Sequence, residues 1–202
     1  MGGVHSARAE EIAVLAFGDS LTAGYGLASS ESFPAQLERS LRDRGHRVRV
    51  INAGVSGDTT AAGLARLNWS LDTAPDLVIV ELGANDALRG LDPAVTRSNL
   101  EAILSRIQQT GSALILAGMK APRNLGADYY RQFDAIYPEL SRRFGVPLYP
   151  FFLDGVVGKP ALNQADGLHP TAEGIREIVT RILPLVEKSL ATLHARPATP
   201  PS

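Results

Sequence analysis

The amino-acid sequence predicts an α/β fold, a three-layer α/β/α arrangement with a five-stranded parallel sheet between helices. Three observations point there: five short apolar runs, helical apolar stripes between them, and polar, glycine-containing segments following the runs. Runs of four to eight residues rich in Val, Ile and Leu suit strands covered on both faces, as parallel sheets are.

In chain order the runs are "IAVLAF" (12–17), "VRVIN" (48–52), "LVIVEL" (77–82), "ALILAG" (113–118) and "VPLYPFF" (146–152). The last holds two prolines, which cannot donate to a ladder, so it reads as a short edge strand. Between the runs, Phe33, Leu37 and Leu41 recur four apart. Leu100, Ile103, Leu104 and Ile107 repeat at i, i+3, i+4 and i+7, with Asp92-Pro93 as a start signal and Gly111 as a stop. Tyr129, Phe133, Ile136, Leu140 and Phe144 form a third stripe across Pro138. Ile175, Ile178, Val179, Ile182 and Val186 form a fourth, which contains Pro184. An interior proline costs a helix about 3 kcal/mol, so both of these helices are expected to kink or split.

A chain of 202 residues suits one domain, expected at 11–194. Residues 1–10 read as a leader or cloning remnant and the proline-rich 195–202 as a disordered tail. Ala7-Arg8-Ala9 resembles the small-residue end of a signal peptide, although no apolar h-region precedes it. A periplasmic or secreted protein is the expectation, with a cytoplasmic one as the alternative. The formal net charge of −1 offers no basic face for nucleic acid. The absence of cysteine excludes disulfides, thiolate metal sites and a cysteine nucleophile. No apolar stretch approaches the roughly 18 residues of a membrane span.

In open α/β sheets ligands bind outside the carboxyl ends of the strands. Those ends lead into Gly18-Asp19-Ser20, "NAGVSGDTT" (52–60), Gly83-Ala84-Asn85-Asp86, "MKAPRNLG" (119–126) and "DGLHP" (166–170). Five segments far apart in the chain thus converge on one rim. Ser20 becomes a nucleophile there only if a base takes its proton and donors stabilise the oxyanion it generates.

Elimination points to the base. His5 lies in the leader and His194 in the tail, while His46 sits in the turn "RGHRV" at the opposite end of the sheet. His169 remains, with Asp166 three residues earlier to fix its tautomer and Pro170 disfavouring helical geometry. Candidate oxyanion donors are the Ser20 amide at the start of a short helical turn, the Gly57 amide and the Asn85 side chain. Gly57 and Asn85 are also ordinary turn residues. Asp19, Asp58 and Asp86 read as ties for loop amides, with Asp86 an alternative partner for His169.

Cofactor signals are lacking: there is no G-x-G-x-x-G, no phosphate-loop lysine and no histidine pair at metal-ligand spacing, so no cofactor or metal is expected. The G-x-S-x-G elbow is missing too, because Thr22 stands where its second glycine would be.

Gly18-Asp19-Ser20-Leu21, Gly57 in "GVSGDT", Gly83-x-Asn85-Asp86 and Asp166-x-x-His169 together resemble the four blocks of the SGNH (GDSL) hydrolases. "ELGANDALRG", "FDAIYPEL" and "VPLYPFF" resemble its bacterial branch of acyl-CoA thioesterases, lysophospholipases and arylesterases, and the likeness spans roughly 12–187. The resemblance implies a flavodoxin-like sheet in order 2-1-3-4-5. It also implies hydrolysis of small-molecule esters or thioesters without a cofactor, with Ser20, Asp166 and His169 catalytic and Ser20, Gly57 and Asn85 forming the oxyanion hole. Ala84 and Ala87 stand where many relatives have glycine. Leu88, Met119, Pro122, Leu125 and Tyr129 are candidate walls of an acyl groove. Two alternatives remain open: a carbohydrate O-deacetylase with the same machinery, and a non-catalytic flavodoxin-like binding module.

Overall fold

The computed structural model describes residues 11–194; the expected leader and tail lie outside the described residues. Each apolar run contains a strand: β1 Ile12–Gly18, β2 Val48–Gly54, β3 Leu77–Glu81, β4 Ala113–Ala117 and β5 Leu148–Tyr149. They form one parallel sheet in the order β2-β1-β3-β4-β5. The register aligns the strand ends that carry the rim. Gly18 pairs with both Gly54 and Glu81, and Glu81 with Ala117, so the loops leave the sheet at one level. The fifth run pairs over only two residues, because prolines at 147 and 150 flank them and lack the amide a longer ladder needs.

Seven helices connect and cover these strands: α1 Ser20–Ala23, α2 Phe33–Asp43, α3 Thr60–Leu71, α4 Ala84–Leu88, α5 Pro93–Gln109, α6 Ala127–Phe144 and α7 Ala172–His194. Right-handed crossovers in this strand order place α2 on one face and α3, α5 and α6 on the other, and α7, which follows β5, joins α2. The contacts agree: α2 packs on α7, and α5 on both α3 and α6. Phe33, Leu37 and Leu41, the Leu100–Ile107 stripe and Ile178, Ile182 and Val186 are fully buried. So are Phe133, Ile136 and Leu140, whereas Tyr129 and Phe144 at the ends of that stripe are only partly covered.

Neither proline splits its helix, which corrects that half of the sequence expectation: α6 runs through Pro138 and α7 through Pro184. Pro184 is exposed and Pro138 half-buried, while their neighbours Leu183 and Tyr137 are buried. Apolar anchors on both sides of each proline hold the two halves against the sheet, offsetting the lost hydrogen bond. His194, read as part of the tail, is the last residue of α7. The helix α3 has no strong apolar stripe; Leu67 is its only fully buried large apolar residue. Among the described residues no helix is long and apolar enough to cross a membrane.

Candidate active site

Ser20 opens α1 immediately beyond β1. Asp19 caps the turn, its Oδ1 accepting from the Leu21 amide at 3.0 Å. With Asp19 fully buried and Ser20 only partly so, the chain turns up out of the core at the serine.

The loop before α7 brings His169 to that serine across 149 residues: His169 Nε2 lies 2.9 Å from Ser20 Oγ. On the other side of the ring, Nδ1 lies 2.6 Å from Asp166 Oδ2. An ionised carboxylate can only accept, so Nδ1 carries the proton and Nε2 is left to accept from the serine hydroxyl. The 166–169 turn is self-assembled. Asp166 Oδ1 accepts from the amides of Leu168 at 2.9 Å and His169 at 3.0 Å, with Gly167, between Asp166 and Leu168, at φ +70°. These backbone bonds, together with the His169 side-chain bond, hold the exposed Asp166 carboxyl down at about 2. The turn is then fastened to the serine loop. Gln164 Nε2 donates to the Tyr25 carbonyl at 2.7 Å, the Gln164 amide donates to the His169 carbonyl at 2.7 Å, and the Tyr25 ring lies 4.5 Å from the imidazole. Asp86 does not compete for His169; it is occupied by Thr60, whose amide and Oγ1 donate at 2.8 and 2.5 Å. His46 lies at the far end of the sheet, 3.3 Å from Glu187.

Asn85, in α4, reaches the same place from β3. Its Nδ2 donates to Asp19 Oδ2 at 3.1 Å and to the Asp58 carbonyl at 3.0 Å, tying the loops after β1, β2 and β3 together. Gly57 precedes that carbonyl, and its own carbonyl accepts from Arg89 Nη2 at 2.9 Å. The amides of Ser20 and Gly57 donate to no other described residue. Asp58 departs from its reading as an amide tie: its side chain meets Arg66 Nε at 2.6 Å, and the backbone carbonyl does the tying.

Ser20, Asn85 and His169 open onto a cleft of about 680 Å³. Leu88, Met119 and Pro122 line it as expected; Leu125 and Tyr129 do not. Leu125 ends a short 3-10 turn facing solvent. Tyr129 is drawn away by its hydroxyl, which donates to the Leu91 carbonyl at 2.8 Å, and by stacking on Phe133. Their places are taken by Phe151, Leu153, Val157 and Leu168 from the segment between β5 and α7. Only the apolar character of Val157 and Leu168 near His169 could have hinted at this, since nothing in the sequence says which way an irregular segment folds.

A hydroxyl bonded to an imidazole bonded to a carboxylate, at the carboxyl rim of a parallel sheet, defines a serine hydrolase. Residues 16–176 match the model of the GDSL-like lipase/acylhydrolase family, and the chain belongs to that family. It is 46% identical over 161 residues to an arylesterase of Vibrio mimicus, covering 79% of this chain and 80% of that protein. To thioesterase 1/protease 1/lysophospholipase L1 of Escherichia coli it is 42% identical, over 79% of this chain and 76% of the relative. Among solved structures, the SGNH-hydrolase esterase AlinE4 matches at 53% identity and a TM-score of 0.76, over 90% of this chain and 97% of that one.

Proposed function

We propose that this protein hydrolyses carboxylic esters and thioesters of apolar acyl chains through an acyl-serine intermediate. His169 Nε2 takes the Ser20 proton as Oγ bonds to the substrate carbonyl carbon, and Asp166 stabilises the imidazolium that forms. The carbonyl electrons move onto oxygen, where the amides of Ser20 and Gly57 and the Asn85 side chain meet the developing charge. As the tetrahedral adduct collapses, the bond to the alcohol or thiol breaks and His169 protonates the leaving group. Water, deprotonated by the same nitrogen, then attacks the acyl carbon and releases the acid and Ser20.

The observation that carries this reading is the unbroken Ser20–His169–Asp166 relay opening into an apolar cleft. The names of the relatives, arylesterase and thioesterase/lysophospholipase, support the same chemistry. An acyl chain gains by leaving water for walls such as Leu88, Met119 and Val157, whereas a sugar would leave its hydroxyls unpaired there. The test is a panel of p-nitrophenyl esters and acyl-CoAs of rising chain length, run beside acetylated xylan on the wild type and Ser20→Ala. Fluorophosphonate labelling at Ser20 and preference for acyl chains are expected. Unlabelled serine, or activity confined to xylan, would overturn the reading.

A further inference from the structure

Beneath the relay lie two buried carboxyl groups that take no part in the acyl transfer. Asp19 is 0% and Glu81 1% exposed, and among the described residues neither forms a salt bridge. Glu81 Oε2 accepts from Thr22 Oγ1 at 2.7 Å and from the Asp19 amide at 3.4 Å, while its Oε1 is buried with no hydrogen-bond partner. The strand end is shaped around this carboxyl: a Cβ at Gly18 would stand 2.6 Å from Glu81 Oε2 and 2.2 Å from Thr22 Oγ1. A charged carboxylate with one oxygen unpartnered and no counter-ion is unfavourable in so dry a place, so Glu81 is the member of the pair that keeps its proton.

The charge then rests on Asp19, and both of its oxygens are engaged. Oδ1 takes the Leu21 amide that begins α1, and Oδ2 takes Asn85 Nδ2. An amide nitrogen has two hydrogens, and the second one on Asn85 meets a neutral acceptor, the carbonyl of Asp58. Bonds to an ionised acceptor are roughly twice as strong as neutral ones. The hydrogen on Asp19 is therefore held, and the one on Asp58 can be given up to a stronger acceptor.

We propose that Asp19 is a positioning residue: its carboxylate, backed by the buried Glu81 carboxyl, anchors one hydrogen of the Asn85 amide so that the other is presented to the oxyanion. The same carboxylate caps the turn that carries Ser20, so nucleophile and donor are set from one group. This rests on the reading of Asn85 as an oxyanion donor. The charged and titratable groups facing the pair are His169, Tyr137 and Arg66. Arg66 donates to the Gly18 carbonyl at 2.9 Å, but its charge is paired with Asp58. Burial raises Asp19 to about 6 and Glu81 well above its ordinary range, which agrees with the proton residing on Glu81.

The experiment is a double-mutant cycle with Asp19→Asn, Asn85→Ala and the pair, reading kcat and KM separately on a p-nitrophenyl ester. Asp19→Asn sets an amide nitrogen against a donor, and kcat should fall by about tenfold or more with KM little changed. In the Asn85→Ala background the same substitution should cost less than about threefold, because the group it acts through is gone. Asp19→Ser guards against a folding failure: serine still caps the helix but is too short to hold Asn85, so it should show the same kcat loss with a preserved melting transition. An Asp19 loss of equal size in both backgrounds, or one confined to KM, overturns the proposal and leaves the Asn85 donor intact. An Asn85→Ala enzyme with wild-type kcat removes that donor reading, and the proposal falls with it.

Discussion

The buried acid pair has a consequence for stability that can be measured without any substrate. Asp19 holds its proton to about pH 6 in the folded protein against an ordinary value of 3.8, mainly because it is buried. Between those values the native state binds more protons than the unfolded chain, so stability falls as pH rises through the window. The rise is roughly two pH units, worth about 3 kcal/mol in full, fully present below pH 4 and gone above pH 7. A little under half of it, on the order of 1 kcal/mol, is lost between pH 5 and 7. Glu81, raised further by burial and by Asp19 itself, extends the decline to higher pH. Asp166 does not interfere: held at about 2, it contributes stability above the ordinary carboxylate range that is lost only as pH falls toward 2. The assay is urea unfolding of the wild type and of Asp19→Asn/Glu81→Gln at pH 5, 6, 7 and 8. The variant cannot take up the native-state protons of either acid, so its curve should be flatter between pH 5 and 7 by more than about 1 kcal/mol, the Asp19 share with that of Glu81 added to it. Parallel curves for the two proteins would show that neither carboxyl holds a proton in the folded state, and the assignment of the pair would be wrong.

Ser20→Ala should unfold at the wild-type midpoint yet lose nearly all esterase activity; retention of most of the rate would exclude Ser20 as nucleophile. Asp166→Asn, which can no longer fix the Nδ1–H tautomer, should lower kcat by about 10²–10⁴ with a normal circular dichroism spectrum, and a loss below tenfold would argue that the turn alone orients His169. Leu88→Ala at the cleft mouth removes about 1 kcal/mol of chain contact. Its kcat/KM should drop severalfold for octanoyl esters and hardly at all for acetyl, whereas an equal drop for both would take Leu88 out of the acyl groove. Gly18→Ala pushes a methyl into Thr22 and Glu81 and should destabilise by about 1–3 kcal/mol or more, read as a lowered melting temperature; an unchanged one would mean that the strand end has room to spare.

The five strands were legible because strands covered on both faces must be continuously apolar, and runs such as "LVIVEL" between polar segments leave few other readings. The stripes of α2, α5, α6 and α7 were legible for the matching reason, since a helix with one face on a sheet repeats its apolar residues every three to four positions. The thin stripe of α3 hid it, and the prolines in α6 and α7 misled because a local penalty says nothing about how firmly the flanking turns are anchored. At the site, His169 and Asp166 could be paired from the sequence because the turn joining them is three residues long and closes on its own backbone. Leu125 and Tyr129 could not be placed, for what decided them was a hydroxyl finding the Leu91 carbonyl and a turn facing outward.

The sequence by itself determined the layers, the rim and which residues could do chemistry there, since these follow from periodicity and from the donor and acceptor capacities of side chains. Tertiary structure alone decided that Ser20 and His169 meet at 2.9 Å, that Phe151 and Val157 rather than Tyr129 wall the cleft, and that two acids share the dry space under the nucleophile. Such facts depend on distances between loops leaving different strands, and those distances are set by sheet register and core packing, which no local pattern of residues encodes.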